Sequence, residues 1–260
     1  EDASRRDFTI NALYCDLDGN VYDPVGGGID DVRKRRVRFI GDAQARIRED
    51  YLRILRFFRF SAQYGNGQID PTGLAAAEAL KDGLILLSAE RVRAEMLKLL
   101  AARGATDVLH VMYQAGILQL AVRTRIEPDR FVRLAAIEAA LGEAPDPITR
   151  LAALAVIHPG DEVFLTDQLR LSNAEAYRIA AALESEPGID PETPEATGRA
   201  AVYRLGPENF RRAVRLAWAR TGALPTAANW RSRALLPDRW NASKLPFSGS
   251  DVMALGVAQG

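Results

Sequence analysis

The sequence predicts a mainly α protein, with a small β segment in about its first 40 residues and an elongated multi-helix region beyond. Three observations carry that prediction. Alternating apolar runs joined by turn residues occur only ahead of Gly41 and Asp42. After them apolar residues recur at helical spacing. Breaks at Pro145, Pro159, Gly160, Pro187, Gly206 and Gly222 then cut the chain into helix-sized pieces. No fixed repeat period is found, so a solenoid is not indicated.

Taken in order, Leu13–Leu17, the turn Asp18-Gly19-Asn20 and Val21–Asp23 read as a hairpin. Asp23-Pro24-Val25-Gly26-Gly27-Gly28 is a turn-rich loop. A short helix is expected over Ile29–Lys34 and a strand over Arg36–Ile40. The first long helix is expected over Arg48–Gly65, and the next runs to Leu80, with Asp70 as its cap and Pro71 at its first position. Ser88 is the expected N-cap of a helix over Ala89–Ala102 that turns Val92, Met96, Leu97, Leu99 and Leu100 inward. Further helices are expected over 105–116, 128–141, 146–158, 160–170, 173–185, 193–204 and 207–220. The last twenty residues read as turn-rich. His110 is expected to be packed or at a core boundary, and Trp218, Trp230 and Trp240 as core rather than as base-stacking rings.

The 260 residues are 48% hydrophobic and 26% charged, the balance of a soluble globular chain with a sizeable core. No apolar run approaches about 18 residues and no basic-then-apolar leader is seen, so neither a membrane span nor a secretory signal is expected. The single cysteine, Cys15, excludes an internal disulfide and fits a reducing compartment, which predicts a cytoplasmic protein. With two distant histidines, no structural zinc site is expected. Charge is segregated: acidic residues dominate 138–198, facing only Arg150, Arg170 and Arg178, and basic residues dominate 199–244. A basic stretch on helices, with Arg211, Arg212 and Arg215 at its centre, can follow a phosphate backbone or can be a plain solvated surface.

The central stretch is Arg48–Gly65. Asp50 and Arg53 are three residues apart and Glu49 and Arg53 four, so on one helix they share a surface, and Arg56 and Arg59 continue the row. A carboxylate beside a guanidinium can pair with itself or can read the edge of a base.

Four segments in order resemble the bacterial (class II) tRNA CCA-adding nucleotidyltransferase and poly(A) polymerase family. They are Arg5-Arg6-Asp7-Phe8-Thr9-Ile10-Asn11-Ala12, Asp23-Pro24-Val25-Gly26-Gly27 with Asp30-Asp31, Glu49-Asp50 with Arg53, Arg56, Arg59 and Phe60, and Ser88-Ala89-Glu90-Arg91-Val92. Past about residue 120 the likeness is only to a generic helical body. The resemblance implies a C-terminal remnant of a nucleotidyltransferase palm over 1–40, a helical neck with the nucleotide-selecting helix over 41–120, and an RNA-binding body and tail over 121–260. It implies that Arg6 and Asp7, with Arg5, serve the ribose and phosphates, although Asp7 can equally cap a helix. Asn11 is read with them or as a local backbone-bonding residue. The Asp23–Gly28 loop would be a hinge, and Ser88–Arg91 a structural support. Arg56 and Arg59 would steady the selecting pair or touch phosphate, or else pack their stems in the core.

The third segment can also be argued from chemistry. Cytosine and adenine both present an exocyclic amino donor beside a ring-nitrogen acceptor. Asp50 accepts only and suits the amino group; Arg53 donates only and suits the ring nitrogen. Guanine and uracil reverse both places, and each unpaired buried group costs about 1–3 kcal/mol. One such pair can therefore take CTP and ATP while refusing GTP and UTP. A surface ion pair worth a few tenths of a kcal/mol is the alternative.

The implied activity is addition of CCA to tRNA 3′ ends from CTP and ATP, with poly(A) polymerase or a non-catalytic helical RNA-binding module as alternatives. The expected partners are tRNA or another RNA 3′ end and nucleoside triphosphates. Transfer in the family uses Mg²⁺ held by an Asp-x-Asp pair ahead of the Arg-Arg-Asp segment. Asp16 and Asp18 have that spacing but follow the segment, and read as turn residues. The chain, opening on Glu1, reads as cut at both ends, so no catalytic and no metal-binding residue is assigned within it and the isolated piece is expected to be inactive.

Overall fold

The computed structural model describes residues 2–183, 187–241 and 254. Glu1, Glu184, Glu186, Lys244, the end of the helix expected to reach 185 and nearly all of the turn-rich C-terminal stretch lie outside the described residues. Among the described residues no helix is long and apolar enough to cross a membrane.

The chain opens with a single helical turn, α1 (Asp2–Arg5), and a 3₁₀ turn over Thr9–Asn11. Strands β1 (Tyr14–Cys15) and β2 (Val21–Tyr22) then form an antiparallel hairpin with Tyr14 opposite Tyr22. Asp16 closes its turn, accepting from the Asp18 and Asn20 amides, the Asn20 side chain and the Tyr22 hydroxyl. Helix α2 (Gly28–Arg33) follows the glycine loop, which Asp23 organises by accepting from the amides of Gly26, Gly28 and Ile29.

The strand expected at Arg36–Ile40 is reduced to one bridge, Phe8 opposite Phe39. Two backbone bonds make it, Thr9 N–H to the Arg38 carbonyl (3.0 Å) and Ile40 N–H to that of Asp7 (3.1 Å). The ladder stops there because the partner segment turns into the 3₁₀ helix at Thr9. A single bridge suffices to seat Phe8, which is fully buried against Phe39, Phe57 and Phe60 with centroids 5.0, 6.3 and 5.0 Å away.

The helix expected over Arg48–Gly65 is two helices, α3 (Ala43–Glu49) and α4 (Leu52–Tyr64). Asp42 caps α3 through the Ala45 amide (2.7 Å). Asp50 breaks the path with extended backbone (φ −158°, ψ 108°), and its Oδ1 accepts from the Leu52 amide at 3.1 Å. A short carboxylate that competes for a backbone N–H favours such a joint over a helix interior. Asp50 thus ends one helix and Arg53 lies in the first turn of the next, so they do not share a helix face as expected. Helix α4 buries Ile54, Leu55, Phe57, Phe58 and Ala62 on one side and leaves Arg53, Arg56 and Arg59 along the other.

The joint is tightly backed. A Cβ built on Gly83, in the 3₁₀ turn Lys81–Leu86, would lie 2.0 Å from the Tyr51 ring. Gly83→Ala is expected to cost about 1–3 kcal/mol through overpacking, read as a shift in the urea midpoint with the slope unchanged.

Helix α5 (Pro71–Leu80) starts as expected, with Asp70 accepting from the Gly73 amide at 3.0 Å. Ser88 does precede α6 (Ala89–Leu100), yet its side chain makes no capping bond. Beyond lie α7 (Ala105–Gln114), α8 (Ile117–Val122), α9 (Pro128–Leu141), α10 (Pro147–Ala155), α11 (Asp161–Leu169), α12 (Asn173–Leu183), α13 (Glu195–Leu205), α14 (Pro207–Thr221), α15 (Ala228–Ala234) and α16 (Leu236–Arg239). A single apolar core runs from Phe8 to Leu236. Trp218 and Trp230 stack inside it, centroids 6.2 Å apart, and Trp240 packs on its edge. His110, expected to be packed, is exposed and bonded to Gln114.

The two charged segments meet each other. Asp146 receives Arg178 (2.7 Å) and Arg212 (3.1 Å), Glu143 receives Arg215, and Arg211 reaches Glu208 (2.7 Å) and Asp238 (2.5 Å). Arg211, Arg212 and Arg215, expected to follow a phosphate backbone, are each turned onto a carboxylate.

Candidate functional site

The site is built where the first segment docks on α3 and α4. Phe8 fixes the docking, and its neighbour Asp7 is thereby aimed at α4. Asp7 is buried and accepts from Arg53 Nε at 2.7 Å and from Arg56 Nε at 2.5 Å, one oxygen to each. Arg53 Nη1 donates to the Arg46 carbonyl (2.7 Å) and to Glu49. Its Nη2 has no partner among the described residues. Burial works against the Arg53 charge, but the bonds to Glu49 and Asp7 outweigh it and raise its pKa above the usual guanidinium value. The same bond from Arg53, helped by Arg46, lowers that of Glu49.

Asp50 stands at the joint with its side chain 33% exposed, and its Oδ2 accepts from Arg91 at 2.7 Å. The structure thus joins Asp7, Arg53 and Arg56 in one side-chain network with Glu49 and Arg46, while Asp50, tied to Arg53 only through its backbone carbonyl (3.0 Å), pairs separately with Arg91. Arg59 lies one turn further on, bonded to buried Glu95 (2.6 Å) and to Gln63 (3.0 Å), with its guanidinium 4.3 Å from the Phe60 ring centre. Arg6 is exposed and pairs with Asp2 at 2.9 Å. Asp2 also accepts from the Tyr14 hydroxyl (2.6 Å), and that bond, then Arg6, lowers its pKa. Asn11 Oδ1 accepts from the Phe8 amide at 3.1 Å, the local backbone bond that was one of its two readings.

Asn11 also walls a cavity of about 540 Å³ with Ile10, Val32, Arg35, Phe60 and Tyr64, which includes neither Asp50 nor Arg53. Under it Asp31, fully buried, accepts from Thr9, Arg36 and Arg38 at 2.6–2.8 Å. Among the described residues no three His, Cys, Asp or Glu side chains converge as a metal site.

Sequence reasoning missed two members. Arg46 bonds the carbonyls of Arg5 (2.9 Å) and Arg6 (2.5 Å) and pairs with Glu49 (2.6 Å), which ties the first segment to α3. Its signal was available: Arg46, Glu49 and Arg53 are spaced three and four apart. Arg91 lies in the segment expected to give only structural support, and no local spacing announces its contact with Asp50 across 41 residues.

Residues 1–38 match the family model described as the poly A polymerase head domain, and 68–122 the one described as the probable RNA and SrmB-binding site of polymerase A. The chain is 40% identical over 159 residues to the mitochondrial CCA tRNA nucleotidyltransferase 1 of Danio rerio, a match covering 59% of this chain and 36% of the relative. It is 29% identical over its full length to the corresponding Mus musculus protein, of which it covers 59%. The solved structure of the Bacillus stearothermophilus CCA-adding enzyme in complex with CTP superimposes with a TM-score of 0.67 at 26% identity, covering all of this chain and 65% of that one. This chain thus spans less than two thirds of the length of these relatives. Motif order, fold and relatives agree in one likeness, to the CCA-adding enzyme and poly(A) polymerase family.

Proposed function

We propose that this chain carries the base-selecting part of an RNA 3′-terminal nucleotidyltransferase that adds CCA to tRNA from CTP and ATP. One observation carries the reading. Arg53 is clamped by Asp7, Glu49 and the Arg46 carbonyl through Nε and Nη1, its Nη2 has no partner among the described residues, and its backbone amide bonds the carbonyl of Asp50, whose part-exposed carboxylate Arg91 holds. A preorganised donor beside an acceptor suits a cytosine or adenine edge and mismatches guanine or uracil. Asp7 and Glu49 position the guanidinium, Arg56 completes the clamp and Arg91 orients Asp50. Arg6, Asn11 and Arg59 complete the nucleotide-binding set, with Arg6 the exposed candidate for phosphate.

We divide the chain into a palm remnant over 1–40, a neck over 41–120 and an RNA-binding body and tail over 121–260. The two family-matched segments support the first two. Free, exposed Cys15 supports a reducing compartment, and we place the protein in the cytoplasm. Mg²⁺ is the metal we expect for the transfer step, although the described residues form no cluster that fits it.

In the full-length protein, Asp50→Ala and Arg53→Ala are expected to raise G and U incorporation relative to C and A by roughly 10- to 100-fold, since each lost pairing is worth about 1–3 kcal/mol. Affinity for a tRNA lacking its 3′ CCA should stay within about twofold. Unchanged selectivity in both variants would sink the proposal, and repeated A without C from the wild type would replace it with poly(A) synthesis.

A further inference from the structure

Every side-chain contact that fixes the Arg53 guanidinium leads back to one residue, Arg46 of α3. Arg53 Nε is held by Asp7, and its Nη1 by Glu49 and by the Arg46 carbonyl (2.7 Å). The Arg46 side chain in turn holds the other two partners. Its Nη1 pairs with Glu49 at 2.6 Å, on the same carboxylate oxygen that Arg53 uses. Its Nη2 donates to the carbonyls of Arg5 (2.9 Å) and Arg6 (2.5 Å). The Arg6 carbonyl belongs to the planar peptide unit that leads into Asp7, so its direction sets the plane from which Asp7 leaves.

This arrangement is fixed before any ligand arrives. The Arg46 side chain is 14% exposed, and its fork of donors meets a carboxylate and two carbonyls at once. Those carbonyls are left over where α1 ends at Arg5, and an arginine from α3 satisfies them. Arg46 Nε is buried with no acceptor among the described residues, so Nη1 and Nη2 alone hold the side chain. Phe8 anchors the same segment by burial. Phe8 therefore sets how closely the segment lies, and Arg46 sets which way the peptide ahead of Asp7 faces.

We infer that Arg46 is a positioning residue for base choice. It holds Asp7 and Glu49 at the angle that presents Arg53 Nη2 outward, and needs no contact with the nucleotide to do so. It also joins the segment that carries Arg6, proposed for phosphate, to the guanidinium proposed for the base. The positive charge of Arg46 is met by Glu49, which favours an effect through geometry over one through charge. This role rests on the base-selecting reading of Arg53 and deepens it.

The test is Arg46→Gln in the full-length protein, scored by kcat/KM for CTP against UTP on a tRNA lacking its 3′ CCA. The preference for C over U is expected to fall about tenfold. A misplacement of about 1 Å can cost about 100-fold, and the Phe8 anchor limits the shift. Arg46→Lys keeps the charge but concentrates it at one point, so it should lose the preference as well. That variant carries the comparison even if Arg46→Gln does not fold. In an Arg53→Ala background, Arg46→Gln should cause no further loss, as expected of a residue that acts through another. Asp146→Asn, which lowers stability from the helices beyond, should keep the wild-type preference.

A wild-type preference in Arg46→Gln beside a lost one in Arg53→Ala overturns the role of Arg46 and leaves the base-selecting reading intact. Full rescue by Arg46→Lys, or additive losses in the double variant, overturns it too. A loss in Asp146→Asn equal to that in Arg46→Gln assigns the effect to general loosening and overturns it likewise. An unchanged preference in Arg53→Ala sinks the base-selecting reading itself.

Discussion

Asp7→Ala is expected to destabilise the protein by about 3 kcal/mol, read as a fall in the urea midpoint. Its carboxylate holds Arg53 through one oxygen and Arg56 through the other, and removing it leaves a guanidinium whose side chain is only 13% exposed facing no carboxylate but Glu49. Breaking a buried pair from one side costs about 3–5 kcal/mol, because the remaining charge stays desolvated. The low end applies because Arg56 is 31% exposed and recovers water. Asp7→Asn, which keeps one acceptor, should lose less. The triple change Asp7→Leu/Arg53→Met/Arg56→Met should regain much of the stability, since apolar replacement of a whole buried cluster is often neutral. It should regain none of the nucleotide selectivity. A fully stable Asp7→Ala protein would show that the clamp is not formed in solution.

Asp146→Ala is the second large effect, about 3–4 kcal/mol at pH 7. Asp146 caps α10 through the amides of Ile148 (3.1 Å) and Thr149 (3.4 Å), accepts from the Thr149 hydroxyl (2.9 Å), and holds Arg178 of α12 and Arg212 of α14. The cap alone is worth about 1 kcal/mol, and the remainder is the stranding of two arginines. Burial opposes ionisation of this carboxyl, yet the Thr149 hydroxyl and the two guanidiniums outweigh it and hold the pKa below 3.8. A carboxylate more acidic folded than unfolded contributes its full stabilisation above its unfolded pKa and loses it as the pH falls through the lower folded value. The stability gap between wild type and Asp146→Asn should therefore be widest near neutrality and close below about pH 4. A gap independent of pH between 7 and 3 would show that the carboxylate is not ionised within this cluster.

Much of the helical order is legible because the signals are local. Asp70-Pro71 starts α5 by a cap and a preset φ, and the periodicity over 128–141 returns α9 to the residue. Helices α8, α15 and α16 have six, seven and four residues, shorter than the window in which a 3.6-residue period can be recognised. The joint at Asp50 is hidden for a related reason, since apolar spacing continues across it and only the carboxylate's bond to Leu52 marks the break. The site residues are legible by type, but their partners are not. Arg53 and Arg56 reach Asp7 across 46 and 49 residues, and spacing within a helix says nothing about such contacts. The charge segregation hides its contacts for the same reason: Arg212 and Arg215 of the basic stretch pair with acids 66 and 72 residues earlier.

Phe8 sits immediately beside Asp7 in the chain and is enclosed by three other rings. The distance from the first segment to α4 is thus set by dispersion and burial, which ionic strength does not screen. Concentrated salt can loosen the grip of Asp7 on the two guanidiniums while leaving the alignment of the backbone around them undisturbed. Geometry and charge at this spot are separable, and an anion arriving from solution would meet arginines already in position.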